Sequence, residues 1–151
     1  MGASTSHARD EHMVVPDDRA LSASLEDYLE AILHLERVSR VARVSEIAEH
    51  LHVSRPSVTG ALKSLTARGL VIHAKYGHAT LTEAGERIAA DVERRHVAIK
   101  HFLTCVLDIP ADQAETAACR MEHVLEPGVL ARFVAYAESL PVSRNAGEDK
   151  P

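Results

Sequence analysis

The chain has no tryptophan, and aromatic residues make up only 3% of its 151 positions. A core without large rings must be built from Ala, Leu, Val and Ile, and the 46% hydrophobic content supplies enough of them for a mainly helical fold. No apolar run approaches the roughly 20 residues of a membrane helix, and no signal-peptide pattern opens the chain. A soluble cytoplasmic protein without a membrane partner is expected. The two cysteines, Cys105 and Cys119, lack the spacing of a disulfide framework and fit a reducing compartment. Cys105 lies in an apolar helical stretch and reads as an inert core residue.

A further absence is local. Between Val53 and Leu81 there is no Asp or Glu, while Arg55, Lys63, Arg68 and Lys75 give that stretch a charge of +4, with His73 and His78 beside them. The flanking segments together carry −9, so one basic stripe sits in a protein of net charge −5. Such a distribution is the footprint of a phosphate-binding surface.

Periodicity divides the chain into a polar segment at 1–21, expected to be disordered, a reading head at 22–82, a helical part at 83–140, and a polar tail at 141–151. In the head, Ser24 reads as the cap of a helix reaching about Val38, and a short helix follows from about Val44 to Leu51. His52-Val53 makes a tight connection. Ser54 caps a third helix with Pro56 in its first turn, and Gly69 supplies its C-terminal stop near Arg68. Two β-prone pieces, Leu70 to Ile72 and Ala79 to Leu81, flank a turn at Gly77. Helix, tight turn, capped helix and hairpin make a winged helix-turn-helix, which places its Ser-capped helix in the DNA major groove. The candidate DNA contacts are Ser54, Arg55, Pro56, Ser57, Thr59 and Lys63, with Lys75 from the wing.

Beyond Thr82 a long connector helix is expected to about Leu107, with Ile88, Val92, His96, Ile99, Leu103 and Val106 on one stripe. His96 is the only polar member of that stripe. Two further helices are expected, from Ala111 to about Leu125 and from Pro127 to about Leu140. The first carries Cys119-Arg120-Met121-Glu122-His123, which aims a thiolate, a carboxylate and an imidazole at one point, because positions three and four apart share a helix face. A thiolate with an imidazole favours a borderline transition metal, and the carboxylate moves the preference toward Fe(II) or Mn(II) and away from a closed zinc site. Three donors rarely complete such a sphere. Asp27-x-x-Glu30 and His96 are the other clusters able to contribute, while Glu26, His34, His101 and Glu115 read as solvated or supporting neighbours.

With these motifs in place, residues 22 to 140 resemble the metal-dependent repressors of the diphtheria toxin repressor and manganese transport regulator group. The resemblance is carried by Leu25-Glu26-Asp27-Tyr28-Leu29-Glu30, Val44-Ser45-Glu46-Ile47-Ala48, Ser54-Arg55-Pro56-Ser57-Val58, Leu81-Thr82-Glu83-Ala84-Gly85, Arg95-His96 and Cys119 to Val124. It implies a two-domain form, a winged helix-turn-helix followed by a helical dimerisation and metal-binding domain, with Fe(II) or Mn(II) as corepressor of a homodimer on a palindromic DNA operator. The implied ligand set is a hybrid. Cys119, Glu122 and His123 match the toxin-repressor branch, whereas Asp27, Glu30, His96, Glu122 and His123 match the manganese branch, which has Glu at position 119. Lys100 stands where the toxin-repressor branch has a Glu in an ancillary metal site. The apolar positions Val129, Leu130, Phe133 and Val134 are expected to supply a dimer face. A winged-helix regulator answering to a non-metal ligand remains the alternative; a metalloenzyme would leave the basic head unexplained.

Overall fold

The first helix is capped two residues earlier than the sequence suggests. The computed structural model describes residues 21–74 and 76–141; residues 1–20 of the segment expected to be disordered, the tail from 142 and the wing residue Lys75 lie outside the described residues, while Leu21 of that segment packs against the first core. In α1 (Ala23–Ser39) the Ser22 hydroxyl, not that of Ser24, accepts from the Leu25 N–H at 3.4 Å. Either serine has the right chemistry, and capping at Ser22 lets the helix propagate further toward its N-terminus. Tyr28, Leu29, Ala31, Ile32 and Leu33 face inward, and Arg40 ends the helix with a left-handed backbone at φ 66°.

A two-residue strand, β1 (Ala42–Arg43), precedes α2 (Val44–Leu51). The sequence reading did not contain it. Glu46 reaches back to accept from the Arg43 N–H at 3.0 Å, capping α2 from its third position. At the far end His52 takes a left-handed conformation, and the Val53 N–H closes onto the Ala48 carbonyl at 3.0 Å, turning the chain sharply into α3 (Arg55–Ala67). The Ser54 hydroxyl accepts from the Ser57 N–H at 3.2 Å, with Pro56 in the first turn as expected. Gly69, at φ 69°, ends α3: its N–H bonds to Thr66 and that of Leu70 to Leu65, both at 3.0 Å. Only a residue tolerant of the left-handed region closes a helix this way at low cost.

The wing is β2 (Val71–His73) and β3 (His78–Leu81), joined through Gly77 at φ 76°. The antiparallel sheet has the order β1-β3-β2, with Ala42 opposite Ala79 and Val71 opposite Leu81. A first core closes under the head, formed by Leu29, Ile32, Ile47, Val58, Leu62 and Leu65 with Val71 and Ala79.

Thr82 caps the connector helix α4 (Glu83–Cys105), its hydroxyl accepting from the Gly85 N–H at 3.1 Å. Gly85 is required by close approach, because a β-carbon there would run into the Leu70 carbonyl. Gly85→Ala is therefore expected to lower stability by about 1–3 kcal/mol, as backbone overpacking does. A denaturation midpoint equal to that of the wild type would show that the wing root yields instead.

The last two helices, α5 (Ala111–Val124) and α6 (Pro127–Ser139), build a second core with α4 from Ile99, Leu103, Ala114, Ala118, Leu130 and Val134, where Phe102 meets Phe133 edge-on at 4.9 Å. Two expectations change here. Leu130 and Val134 are buried within the subunit itself, so the outward apolar surface is carried by Val97, Val124, Val129 and Tyr136. Cys105 and Val106 are exposed rather than buried: Cys105, two residues past the buried Leu103, faces away from the stripe, and Val106 lies just beyond the last residue of α4. Among the described residues no helix is long and apolar enough to cross a membrane.

Candidate metal centre

Three helices meet at the side chains singled out in the sequence. Asp27 and Glu30 come from the second turn of α1, His96 from the middle of α4, and Cys119, Glu122 and His123 from the last turns of α5. The potential donor atoms of Cys119, Glu122 and His123 lie within 4.8 Å of one another. His123 Nε2 is 2.9 Å from Asp27 Oδ1 and 3.7 Å from Glu122 Oε1, and His96 Nδ1 is 3.4 Å from Glu122 Oε1. Asp27, Glu30, His96 and Cys119 line one cavity of about 360 Å³. Glu122 and His123 line the neighbouring cavity instead, so the compact donor group is Cys119, Glu122 and His123, with Asp27 touching His123 across a gap of 96 positions, His96 touching Glu122, and Glu30 placed beside them as a cavity-lining neighbour.

Glu122 is the centre of this cluster. It is the one charged residue buried among the described residues, 4% exposed, and its Oε2 is buried with no hydrogen-bond partner. A buried carboxylate oxygen without a partner is costly, which makes the site fit a cation. The titration behaviour agrees with that reading. Burial pushes the Glu30 carboxyl up, with Glu122 adding repulsion that His96 partly offsets. The hydrogen bond to Glu122 holds His96 protonated, its pKa raised to about 9 against the opposing effect of burial, with Glu115 contributing. The Cys119 thiol is pushed up by burial and then by Asp27, Glu122, Glu30 and Glu115. Without a bound cation Cys119 is therefore a thiol, not the thiolate that its motif suggested.

Glu26 and Glu115 stand closer to the cluster than the sequence indicated. Glu115 Oε1 lies 2.8 Å from His96 Nε2, and Glu26 Oε2 lies 3.6 Å from His123 Nδ1. Lys100 pairs with Glu115, and Arg95 pairs with Glu26 at 3.2 Å. These two bases were not read as part of the site, although one adjoins His96 and the other follows it by a helical turn. His34 instead stacks on His50 with ring centroids 5.1 Å apart, and His101 Nε2 is buried without a partner.

On the head, Ser54, Arg55, Pro56, Ser57, Thr59 and Lys63 are all exposed along α3, opposite the buried Val58, Ala61, Leu62 and Leu65. Ser54 Oγ and Ser57 Oγ are 2.7 Å apart at the helix N-terminus. Gly60 sits between Pro56 and Lys63 on the outermost line of that helix and was passed over in the sequence. A β-carbon there would meet nothing in the chain, so the bare backbone is not a packing requirement.

Residues 20–79 match the family described as iron dependent repressor, N-terminal DNA binding domain, and residues 82–146 match the iron dependent repressor, metal binding and dimerisation domain. An uncharacterized HTH-type transcriptional regulator of Methanocaldococcus jannaschii is 34% identical over 119 residues, spanning 78% of this chain and 95% of that protein. The iron-dependent repressor IdeR of Mycobacterium tuberculosis is also 34% identical, over 72% of this chain but 47% of its own length, so the chain spans about half of that relative. The solved structure of a manganese-dependent transcriptional repressor in complex with manganese aligns with a TM-score of 0.67 at 30% identity, covering 76% of this chain and 52% of the other. With both halves matched in order and the donor cluster formed where they meet, the chain belongs to the iron-dependent repressor family of metal-dependent, DNA-binding transcriptional repressors.

Proposed function

We propose that Asp27, Glu30, His96, Cys119, Glu122 and His123 hold Fe(II) or Mn(II), and that this chain represses transcription of metal-homeostasis genes in the cytoplasm as a homodimer on a palindromic operator. The observation that carries the reading is Glu122, whose buried, unpartnered oxygen lies among acids and imidazoles from three helices. When bound, the ion supplies a divalent positive charge at the junction of α1, α4 and α5. The residues do the rest. Asp27 and Glu30 repel Glu122 in its absence, so α1 has one favoured placement against α5 only when that repulsion is cancelled. Because α1 packs into the core of the head, its placement fixes the direction of α3 relative to the helices of the dimer. Ser54 and Ser57 then meet phosphates or base edges at the helix N-terminus, Pro56 offers an apolar contact, and Arg55, Thr59, Lys63 and Lys75 complete the interface. The role is regulatory rather than enzymatic.

Operator binding titrated anaerobically with Fe(II) and with Mn(II) tests this directly. Binding should require one of the ions and disappear with chelator; operator affinity unchanged by chelator would overturn the reading in favour of a regulator that answers to a non-metal ligand. The DNA surface has its own test. Arg55→Ala combined with Lys63→Ala should weaken operator binding and reduce the slope of log affinity against log salt by about 2, one counterion for each lost phosphate contact. An unchanged slope would move the interface to another face.

A further inference from the structure

Each imidazole of the donor cluster has one nitrogen turned inward and one turned outward, and both outward nitrogens face the same kind of partner. His96 directs Nδ1 to Glu122 at 3.4 Å and Nε2 to Glu115 at 2.8 Å, and Glu115 is itself paired with the Lys100 ammonium. His123 directs Nε2 to Asp27 at 2.9 Å and Nδ1 to Glu26 at 3.6 Å, and Glu26 is paired with the Arg95 guanidinium at 3.2 Å. Two imidazoles from different helices thus share one arrangement: a cluster carboxylate on one nitrogen, and on the other a carboxylate tied to a base of α4.

A neutral imidazole keeps one N–H, and its other nitrogen is free to bind an ion. A carboxylate accepting that N–H selects the tautomer, fixes the ring plane and makes the ligating nitrogen more basic. We propose that Glu115, held by Lys100, is a positioning residue whose hydrogen bond keeps the His96 proton on Nε2 and leaves Nδ1 to the ion, and that Glu26, held by Arg95 and facing His123 Nδ1 at 3.6 Å, beyond hydrogen-bond range, favours the His123 proton on Nδ1 through its charge alone, leaving Nε2 to the ion. The inference rests on the metal site proposed above and adds which atoms ligate and what holds them there. Glu26 and Glu115 are each paired with a fixed cation, Arg95 and Lys100, although Glu115 lines the same cavity as Asp27, Glu30, His96 and Cys119.

Glu115 is the better residue to test, because its side chain is half exposed. Mn(II) alone, added to the full chain and followed by the paramagnetic resonance of the free ion, gives the affinity without reference to DNA. Glu115→Leu should weaken Mn(II) binding about 10- to 100-fold, the usual consequence of removing a partner behind a ligating histidine, with the melting temperature of the metal-free protein unchanged. Glu115→Gln, whose side-chain carbonyl still accepts from Nε2–H, should recover most of that loss. Imidazole ¹⁵N spectra of the Cd(II)-loaded wild type should show His96 protonated on Nε2 and His123 on Nδ1. Wild-type affinity in Glu115→Leu, equal losses in the Leu and Gln variants, or the opposite tautomers would each overturn the proposal while leaving the metal site standing. A wild-type chain that takes up no Mn(II) would instead overturn the site itself.

Discussion

Glu122→Leu should abolish the response to metal while leaving the metal-free protein at least as stable as the wild type. The two halves of this expectation have different origins. Loss of response follows because Glu122 is the buried donor around which the other five are arranged, and a leucine offers no lone pair. Retained stability follows because the wild type buries a carboxylate oxygen that has no partner, and an apolar side chain of similar size removes that cost. His96 then loses its main support for the charged state and returns toward neutrality, so no buried charge is left behind. Thermal unfolding with and without Mn(II) reads both halves together. At an ion concentration about 100 times the dissociation constant, binding contributes roughly 2.7 kcal/mol, which for a chain of this size raises the melting temperature by about 10 °C. That increment should be present in the wild type and missing in Glu122→Leu. An increment of similar size in the variant would remove Glu122 from the site.

Cys119→Glu should shift the choice of ion toward Mn(II) and flatten the pH dependence of binding. A thiolate suits the softer ion and a carboxylate the harder, so exchanging one for the other at a single position of a mixed set changes the ratio of affinities, by about tenfold or more, in favour of Mn(II). The pH effect follows from the Cys119 thiol, which is held above its ordinary range by burial and neighbouring carboxylates. At neutral pH it carries its proton, and ligation must release it; wild-type affinity therefore rises with pH until the thiol would ionise unaided. A glutamate at 119 gives up its proton at much lower pH and removes that step, leaving the weaker pH dependence that comes from the proton His96 must also release. Competition between Fe(II) and Mn(II) under anaerobic conditions, repeated across pH 6 to 8 or so, measures both effects. If Cys119→Ala changes neither the affinities nor their ratio, the residue takes no part in ligation.

How much of this was legible in the sequence depended on the range of the signal. Ser54, Pro56 and Gly69 mark the ends of α3 by local chemistry, and the structure places each in the role its type suggests. The motif from Cys119 to His123 was legible for the same reason: its geometry is that of one helix turn. β1 was not, because two residues carry no period and the strand exists only through pairing with Ala79 and His78 across the wing. Cys105 was misplaced because an apolar neighbourhood in sequence says nothing of the face, and position 105 lies opposite the stripe that buries Leu103. Glu26 and Glu115 were legible only as solvated or supporting neighbours of the cluster, because the choice between the two depends on the packing of α1 and α5 against α4, which sets them beside Arg95 and Lys100.

The division of donors between α1 and the later helices has a consequence for how such a sensor is calibrated. Asp27 and Glu30 are presented to Cys119, Glu122 and His123 at an effective concentration set by how firmly α1 rests on α4. Arg37 and Glu93 join those two helices near the C-terminal end of α1 through two contacts, at 2.6 and 2.9 Å, and Glu93 also lines the cavity of Asp27 and Glu30, so the clasp fixes both the seating of α1 and one more negative charge beside the donors. The metal threshold at which the protein responds is therefore adjustable from the surface, by loosening or tightening that clasp.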